Sequence, residues 1–123
     1  MLTEIMNIDE AIQRFRTAAL QKGEFVQSAA DDRHLHREMA TAWRELHNQG
    51  IAGRDAFKKL LADESRYVRG WVAAQLLSEG DRDAVPVLNE LARGQGIDSF
   101  NAQMTLKEWR AKRLSSPFSG SAT

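Results

Sequence analysis

The segment from Arg66 to Glu79 constrains the fold more than any other part of the chain. On a helix, its apolar side chains cover most of the circumference instead of forming one stripe. They are Tyr67, Val68, Trp71, Val72, Ala73, Ala74, Leu76 and Leu77. A helix that is apolar nearly all round has to pack against neighbours on several sides, so we expect this helix to be central and the most buried one.

The rest of the chain also has helical rather than strand periodicity. Apolar residues recur with helical spacing almost throughout, and no alternation of period two persists long enough to predict a sheet. With 123 residues, of which 42% are hydrophobic, the chain is long enough to bury its own core. We therefore predict an all-α fold, with a single helical domain over residues 1–114 and a mobile tail rich in Ser, Gly and Pro over residues 115–123.

The first helix is predicted to begin after Asn7. Asn7 is followed three residues later by Glu10, which is typical of a capping box. The apolar phase that starts at Ile8 continues past Gly23 to Val26 and Ala30, which favours one long helix. A helix end at Gly23 is the alternative, because glycine is most common just after a helix.

Capping residues and glycines also predict the limits of the later helices. Asp31 and Asp32 offer a cap for helix two, which Gly50 should end, and helix three should open near Gly53. Asp83 should cap helix five. The last helix should start at Asp98 or Ser99, end near Leu114 and carry an apolar face; the residues of that face are Phe100, Met104, Leu106 and Trp109.

Helices three and four match helices five and six as an imperfect internal repeat. The matched pairs are Asp55 with Asp83, Phe57 with Val85, Leu60 with Leu88 and, after four extra loop residues, Val68 with Phe100. Repeated helix pairs bury their apolar faces on one another. The repeat therefore predicts a short right-handed α-α superhelix of about six helices in three antiparallel pairs.

The stretch from Asp63 to Leu77 resembles the second helix of a HEAT repeat. In that family an Asp in the turn stands six residues before an Arg, a Val precedes the Arg, and small Ala residues and a Leu follow. These places are held here by Asp63, Val68, Arg69, Ala73, Ala74 and Leu77. The resemblance implies a domain of stacked helix pairs that works as a binding surface, and it implies a structural role for Asp63 and Arg69 at the turn.

A second resemblance covers nearly the whole chain. The segment from Phe100 to Arg110, FNAQMTLKEWR, and the preceding AVPVLNELA are similar to a group of small bacterial HEAT-like domains. No chemistry is attached to that group. The resemblance implies the fold and brings with it no catalytic, cofactor-binding or metal-binding residue. In the second repeat Asn101 stands where Arg69 stands in the first, so a ladder of Asp and Arg through the whole stack is not expected.

Composition and charge exclude several classes of function. Lys plus Arg and Asp plus Glu both number 17, so no long-range basic field is available to gather nucleic acid or an anionic membrane. The chain has no cysteine, which excludes disulfides, thiolate catalysis and Cys-ligated zinc. The segment from Met1 to Glu10 has neither a basic start nor an apolar run, so we expect neither a signal peptide nor a membrane span, and a cytoplasmic location.

Few residues are candidates for chemistry. His34 and Glu38 share a helix face, but two ligands are too few for a metal site, so a solvated face is favoured. Gly94 and Gly96 form a GxG between two helices, which is typical of a connector rather than of a phosphate cradle. Ser119 has no nearby base and is interpreted as a tail residue. We expect no catalytic residue, no cofactor and no metal.

One basic set is the candidate binding surface. It consists of Lys107, Arg110, Lys112 and Arg113. These side chains can contact phosphates or an acidic protein, but cations are also favoured in the last turn of a helix, where the dipole is negative. Three tryptophans, Trp43, Trp71 and Trp109, are in phase with apolar neighbours, so packing in the core is favoured over a stacking platform.

Together these features favour a non-enzymatic protein-interaction domain with an unidentified protein partner. Binding would use the helical-repeat surface or one end of the stack, and self-association through that end is a variant of the same expectation. A nucleic-acid-binding module with a basic face is the alternative, although the balanced charge makes nucleic acid a less favoured partner. A small enzyme is the third hypothesis, and no pair of titratable residues in the sequence supports it.

Overall fold

The computed structural model describes residues 6–24 and 28–118. Over these ranges the protein is all-α, as predicted, with six α-helices, one turn of 3-10 helix and no strand. The α-helices are α1 (Ile8–Glu24), α2 (Ala29–Asn48), α3 (Gly50–Lys59), α4 (Arg66–Ser78), α5 (Ala84–Ala92) and α6 (Ile97–Arg110). The 3-10 turn is Leu60–Ala62. In the part of the chain that is described, none of the helices is both long and apolar enough to cross a bilayer.

The chain divides into two compact units, Met1–Lys59 and Leu60–Thr123. The first unit contains α1, α2 and α3, which pack on one another. The second contains the 3-10 turn and α4, α5 and α6, which also pack on one another. A single domain over residues 1–114 and the superhelix of three antiparallel pairs stay predictions.

The capping box predicted at the start of α1 is present. The Asn7 N–H donates to Glu10 Oε1 over 3.3 Å, and the Glu10 N–H donates to Asn7 Oδ1 over 2.8 Å. This reciprocal pair satisfies N–H groups that the first turn of a helix leaves without a partner inside the helix. Helix α1 therefore begins where its capping residues predict.

The single long first helix was wrong. Ser28 is extended, with φ −151° and ψ 164°, and its side chain caps α2 by accepting from the Asp31 N–H over 3.0 Å. A helix cannot continue through this conformation, so the first helix does not reach Ala30, and α1 ends at Glu24. Gly23 is nevertheless inside α1, and Asp31 and Asp32 stand in the first turn of α2 rather than at its cap. Val26, which the long helix included, is outside the described residues.

Helices α1 and α2 run antiparallel. Lys22, near the end of α1, pairs with Asp32 at the start of α2 over 2.5 Å. Gln49, just after α2, donates to the main-chain carbonyl of Met6, just before α1, over 2.7 Å. Helix α3 adds Phe57, whose ring meets the Phe15 ring edge-on at 5.2 Å. The apolar core of this unit is Ala11, Phe15, Ala18, Ala19, Met39, Ala40, Ala42, Leu46 and Phe57.

Helix α3 begins at Gly50, not at Gly53 as the sequence suggested. Gly53 is buried inside the helix, where a Cβ atom would lie 1.9 Å from the main-chain oxygen of Leu46. The glycine is therefore a point where α3 approaches the backbone of α2 too closely for any side chain. Gly53 therefore has a role in packing and does not open the helix.

Helix α4 is the most buried of the described helices, as predicted. Ser65 caps it by accepting from the N–H groups of Tyr67 (3.2 Å) and Val68 (3.4 Å). Six of its 13 residues are buried, and the larger α1 and α2 bury four each. The buried residues of α4 are Val68, Val72, Ala73, Gln75, Leu76 and Leu77.

Helix α5 begins after Asp83, as predicted, but the Asp83 side chain makes no cap hydrogen bond. Instead, the Asp83 N–H donates to Asp81 Oδ1 over 3.0 Å. The residue at the cap position was predicted correctly, but the side chain that organises the turn is that of Asp81, two residues earlier. Helix α5 runs antiparallel to α4, because Arg66 at the start of α4 donates to the Leu91 carbonyl near the end of α5.

Helix α6 starts at Ile97, one residue before the earlier of its two predicted starts, and ends at Arg110, well before the predicted end near Leu114. The Arg113 N–H donates to the Glu108 carbonyl (2.8 Å) and the Lys112 N–H to the Trp109 carbonyl (3.0 Å). This pair of bonds is a Schellman motif, which ends a helix. The predicted apolar face was wrong at Phe100, which is 53% exposed, whereas its repeat partner Val68 is fully buried.

The predicted mobile tail, residues 115–123, is described as far as Phe118. The Phe118 side chain is only 1% exposed and the Ser116 hydroxyl donates to Gln75 Oε1. The packed part of the chain therefore extends beyond Leu114, because an aromatic side chain in the tail finds an apolar site on α4. Residues 119–123, including Ser119, are outside the described residues.

Candidate functional site

An open groove with a volume of about 340 Å³ lies between α4 and α6 in the second unit. One wall consists of Tyr67, Trp71 and Ala74 of α4, which follow one another at successive helical turns. The other wall is α6, with Asn101, Met104, Thr105 and Glu108. The floor is apolar, because the buried side chains of Leu88 and Ala102 reach it.

The two walls run in the same direction. At one end of the groove, Arg66 at the start of α4 contacts Asp98 at the start of α6. At the other end, the chain that leaves α6 returns to α4, so that Leu114, Ser115 and Pro117 also line the groove. The groove is thus bounded by two helices, one ion pair and one non-helical segment.

The surface of α6 beside the groove is unusually apolar. Ile97 and Phe100 are 67% and 53% exposed, and Met104 follows Phe100 by four residues. Residues three and four apart lie on the same side of a helix, so Ile97, Phe100 and Met104 form one apolar strip. Met104 also lines the groove, so the strip continues its apolar wall to the outside.

Arg66 organises the polar end of the groove. Its Nε donates to Asp98 Oδ2 over 2.6 Å, and its Nη2 donates to the Leu91 carbonyl and to Ser99 Oγ, each over 3.2 Å. Ser99 is only 1% exposed, so this bond satisfies a hydroxyl that has left water. One guanidinium therefore connects the start of α4, the end of α5 and the start of α6.

The same contact lowers the pKa of Asp98. Burial acts in the opposite direction and raises the pKa of this carboxyl. The hydrogen bond and the positive charge of Arg66, together with the main-chain N–H groups of Asp98 and Ser99, outweigh burial, so the pKa of Asp98 lies below its ordinary value. Asp98 is therefore a carboxylate at neutral pH, and its negative charge marks this end of the groove.

The predicted basic set lies together at the end of α6. Lys107 and Arg110 are in its last turn, and Lys112 and Arg113 follow in the Schellman motif; all four side chains are exposed. Arg113 Nε pairs with Glu108 Oε2 over 3.1 Å, which offsets part of the charge of the set. Lys107 follows Phe100 by seven residues, so this cation lies on the same side of α6 as the apolar strip.

Asp63 and Arg69 interact at the turn before α4. Arg69 Nη1 donates to the main-chain carbonyl of Asp63 over 2.7 Å, and Asp63 Oδ2 accepts from the Ser65 N–H over 3.0 Å. Arg69 Nη2 also lies 3.9 Å from Glu90 Oε1 on α5. The arginine bonds to the backbone of the turn rather than to the Asp63 carboxylate, and both residues organise the entry to α4.

The three tryptophans are half-buried rather than enclosed in the core. Trp71 lines the groove and its ring lies 5.9 Å from the Phe118 ring. The Arg82 guanidinium stands over the Trp109 ring at 5.3 Å, and Trp43 lies 5.3 Å from the His47 ring. The prediction that the three indoles pack inside the core was therefore wrong in extent, because each helix places its indole at the border between core and solvent.

The remaining candidates stay apart from the groove walls. His34 and Glu38 line a cleft of about 360 Å³ between α1 and α2, together with Arg14 and Gln21. In the described residues no group of three His, Asp or Glu side chains has the spacing to hold a metal ion. Gly94 and Gly96 form the connection between α5 and α6.

Sequence reasoning missed three parts of this site. The role of Arg66 depends on contacts with residues 25 to 33 positions later, which no local pattern predicts. The exposure of Phe100 follows from the phase of α6 against α4 and α5. The docking of Phe118 had a usable signal, because a large aromatic residue is unexpected in a tail of small polar residues.

Comparisons with models of known protein families, with characterised proteins and with solved structures find no match to the chain. The resemblance to HEAT repeats therefore stays a prediction.

Proposed function

We propose that the protein is a non-enzymatic interaction domain that binds a protein partner through the groove between α4 and α6. The observation that carries this proposal is the apolar strip on α6, where Ile97 and Phe100 are exposed beside an open apolar groove. Contiguous apolar surface at a groove, with charged groups at its rim, is typical of a protein-binding site. A cytoplasmic location, expected from the sequence, is part of this proposal.

The energetics favour a protein segment as the occupant. Full burial of an Ile or Phe side chain stabilises a complex by about 1.5–3 kcal/mol, so Ile97 and Phe100 can together provide much of a moderate affinity. Aromatic residues at the centre of a contact are the most frequent source of binding energy. The ends of the groove are charged, with Asp98 and Arg66 at one end and Glu108 at the other, and these groups can orient the bound segment.

A nucleic-acid partner would use a different surface. The basic set at Lys107, Arg110, Lys112 and Arg113 is the place where phosphates would bind, and it lies at the end of α6 rather than in the groove. The two proposals therefore respond to different substitutions. The groove could also bind a second copy of the chain. Such a dimer would have twice the mass of the 13.8 kDa chain in solution.

The test is affinity capture from the native cell after nuclease treatment, with quantitative mass spectrometry. We expect a partner that the wild-type chain retains and that Met104→Glu loses, because this substitution places a charge on the apolar wall. Thr41→Glu, on an exposed position of α2, is the matched control and should retain the partner. Loss of binding in Lys107→Glu but not in Met104→Glu would contradict the proposal and favour the basic set.

A further inference from the structure

The segment that follows α6 is packed as a peptide would be packed in a binding site. Residues 114–118 are not helical, yet Phe118 is among the largest fully buried side chains of the described protein. The segment is short, and the side chains of Ser116 and Phe118 contact α4.

The contacts define a recognition pattern of a hydroxyl, a spacer and an aromatic ring. The Ser116 hydroxyl donates to Gln75 Oε1 over 2.5 Å and accepts from the Phe118 N–H over 3.1 Å. The Phe118 ring lies against the Trp71 ring, with centroids 5.9 Å apart. Pro117 between them restricts the backbone, so the segment loses less conformational entropy when it docks.

The receptor side of this contact is built into α4. Gln75 is 1% exposed, although it is polar and stands on the most buried of the described helices. Its amide nitrogen donates to Glu79, and its amide oxygen accepts from the tail hydroxyl. A buried amide that is satisfied in part by the tail discriminates in favour of a segment with a donor such as a hydroxyl at this position, because a segment without a donor leaves the amide oxygen without that bond.

The tail site and the groove are continuous. Trp71 contacts Phe118 and also lines the groove, and Leu114, Ser115 and Pro117 form the groove wall at the same end. A segment that replaced the tail would therefore extend directly into the groove. The tail covers one end of the surface for which a protein partner is proposed above.

We propose that the tail, residues 114–118, is a built-in ligand of the α4 surface, and that the partner contributes an extended segment with the same pattern. That pattern is a Ser or Thr, one spacer residue and an aromatic residue. The segment takes the place of the tail, with its hydroxyl on Gln75 and its ring on Trp71. This inference rests on the proposed function, because it names the kind of segment that the groove recognises.

Competition with the tail sets the apparent affinity. A tethered segment on a short linker has an effective concentration on the order of 1 mM. If the same segment binds as a free peptide with a Kd of about 0.1 mM, the docked state of the tail is about ten times more populated than the undocked state. An external segment then binds the wild-type chain about tenfold more weakly than a chain whose tail cannot dock.

The experiment uses the full chain and a synthetic peptide with the sequence of residues 114–123, labelled with fluorescein. We expect the peptide to bind the Phe118→Ala chain and to bind the wild-type chain at least about tenfold more weakly in fluorescence anisotropy. The same peptide with F118A should bind neither chain. Adding Trp71→Ala to the Phe118→Ala chain should abolish binding, since the ring loses its partner.

A second variant keeps the test valid if Phe118→Ala unfolds. Ser116→Ala retains the aromatic ring and removes only the hydroxyl, so circular dichroism should show a native helix content. It should bind the peptide more tightly than the wild type and less tightly than Phe118→Ala. Equal binding to all three chains, or none to any folded chain, overturns the inference.

The outcomes separate this inference from the function on which it rests. Failure of the peptide to bind a folded Phe118→Ala chain overturns the inference and leaves capture through Met104 intact. Peptide binding combined with a captured partner that tolerates Met104→Glu overturns the proposed function instead. A concentration-dependent wild-type dimer that Phe118→Ala abolishes would assign the site to the tail of a second copy and overturn the inference.

Discussion

Two helices of the second unit end in the same hydrogen-bond pattern with different residues at the left-handed position. After α4 this residue is Gly80, with φ 91°, and after α6 it is Lys112, with φ 59°. The bonds at the end of α4, from the Gly80 N–H to the Leu77 carbonyl and from the Asp81 N–H to the Leu76 carbonyl, match those at the end of α6. The two helix ends differ in that Lys112 has a Cβ atom at the left-handed position, which has a steric cost, and Gly80 does not.

This difference predicts that Lys112→Gly stabilises the protein. The left-handed conformation destabilises a residue with a Cβ atom by about 1–2 kcal/mol, and glycine does not have this cost. The greater freedom of glycine in the unfolded chain offsets part of the gain, so we expect about 0.5–1 kcal/mol in the free energy of unfolding from urea titration.

The matched control for Lys112 is Gly80→Ala. A Cβ atom at Gly80 meets nothing within 4 Å, so only the backbone conformation opposes the substitution. We expect a loss of about 1 kcal/mol. A destabilised Lys112→Gly chain would show that the lysine side chain has a stabilising contact that outweighs the strain of its backbone.

At the scale of elements, two helical glycines have opposite roles. A Cβ atom at Gly53 would lie 1.9 Å from the Leu46 main-chain oxygen, whereas one at Gly70 would meet only Leu91 Cδ1 at an ordinary 3.7 Å. We predict that Gly53→Ala destabilises by about 1–3 kcal/mol or more, since α3 and α2 have to move apart. Gly70→Ala should stabilise by up to about 1 kcal/mol through helix propensity. Thermal melting of both variants checks the pair, and equal effects would contradict the close approach of α2 and α3.

The contact between α4 and α6 predicts an acid-dependent stability. The pKa of Asp98 is lower in the folded chain than in the unfolded one, so the carboxylate stabilises the fold above its unfolded pKa. This contribution is lost as the pH falls through the folded pKa. Since the Arg66 side chain is 43% exposed, we expect Asp98→Asn to cost at most about 1 kcal/mol at neutral pH.

The measurement for Asp98 is the free energy of unfolding from about pH 7 to pH 2. The difference between wild type and Asp98→Asn should shrink in the acid range, below about pH 4. Asp55→Asn, at an exposed carboxylate of α3, is the control for a change in net charge. A difference that stays constant down to the lowest pH would show that the asparagine acts through packing and not through lost charge.

The sequence predicted elements better than it predicted their contacts. The capping box at Asn7, the start of α4 and the cap position of Asp83 follow from local chemistry, and all three were correct. The end of α1 was placed too late because the apolar phase continues past Glu24, and the same continuity masked the cap of α2 at Ser28.

The candidate site was predictable only in part. The basic set was found because its residues are close in sequence, and they end α6 together. The groove was not found, because it depends on the packing of α4, α5 and α6, which joins Arg66 to Ser99 and Trp71 to Phe118. Periodicity shows which residues face a neighbour, but not which neighbour covers them, so Phe100 was wrongly assigned to the core.

At the scale of the whole molecule, the balance of charge predicts weak binding to nucleic acid. The 17 basic and 17 acidic residues leave no net charge, and Glu108 pairs with one cation of the basic set. We expect negligible affinity for duplex DNA near ~0.15 M salt. If the basic set does contact phosphates, each contact should add about 0.9 to the salt slope, and reversing all four charges should abolish binding. Fluorescence anisotropy with a labelled duplex at several salt concentrations measures both.

Site-specific photo-cross-linking in the native cell tests the proposed binding surface most directly. A photoreactive phenylalanine analogue at Phe100 keeps the aromatic character of the apolar strip, and the same analogue at Thr41 on α2 is the control. We expect one protein adduct from position 100 that is absent from position 41 and is lost when Met104→Glu is added. An adduct that forms equally at both positions, or one that survives Met104→Glu, would contradict a binding site in the groove between α4 and α6.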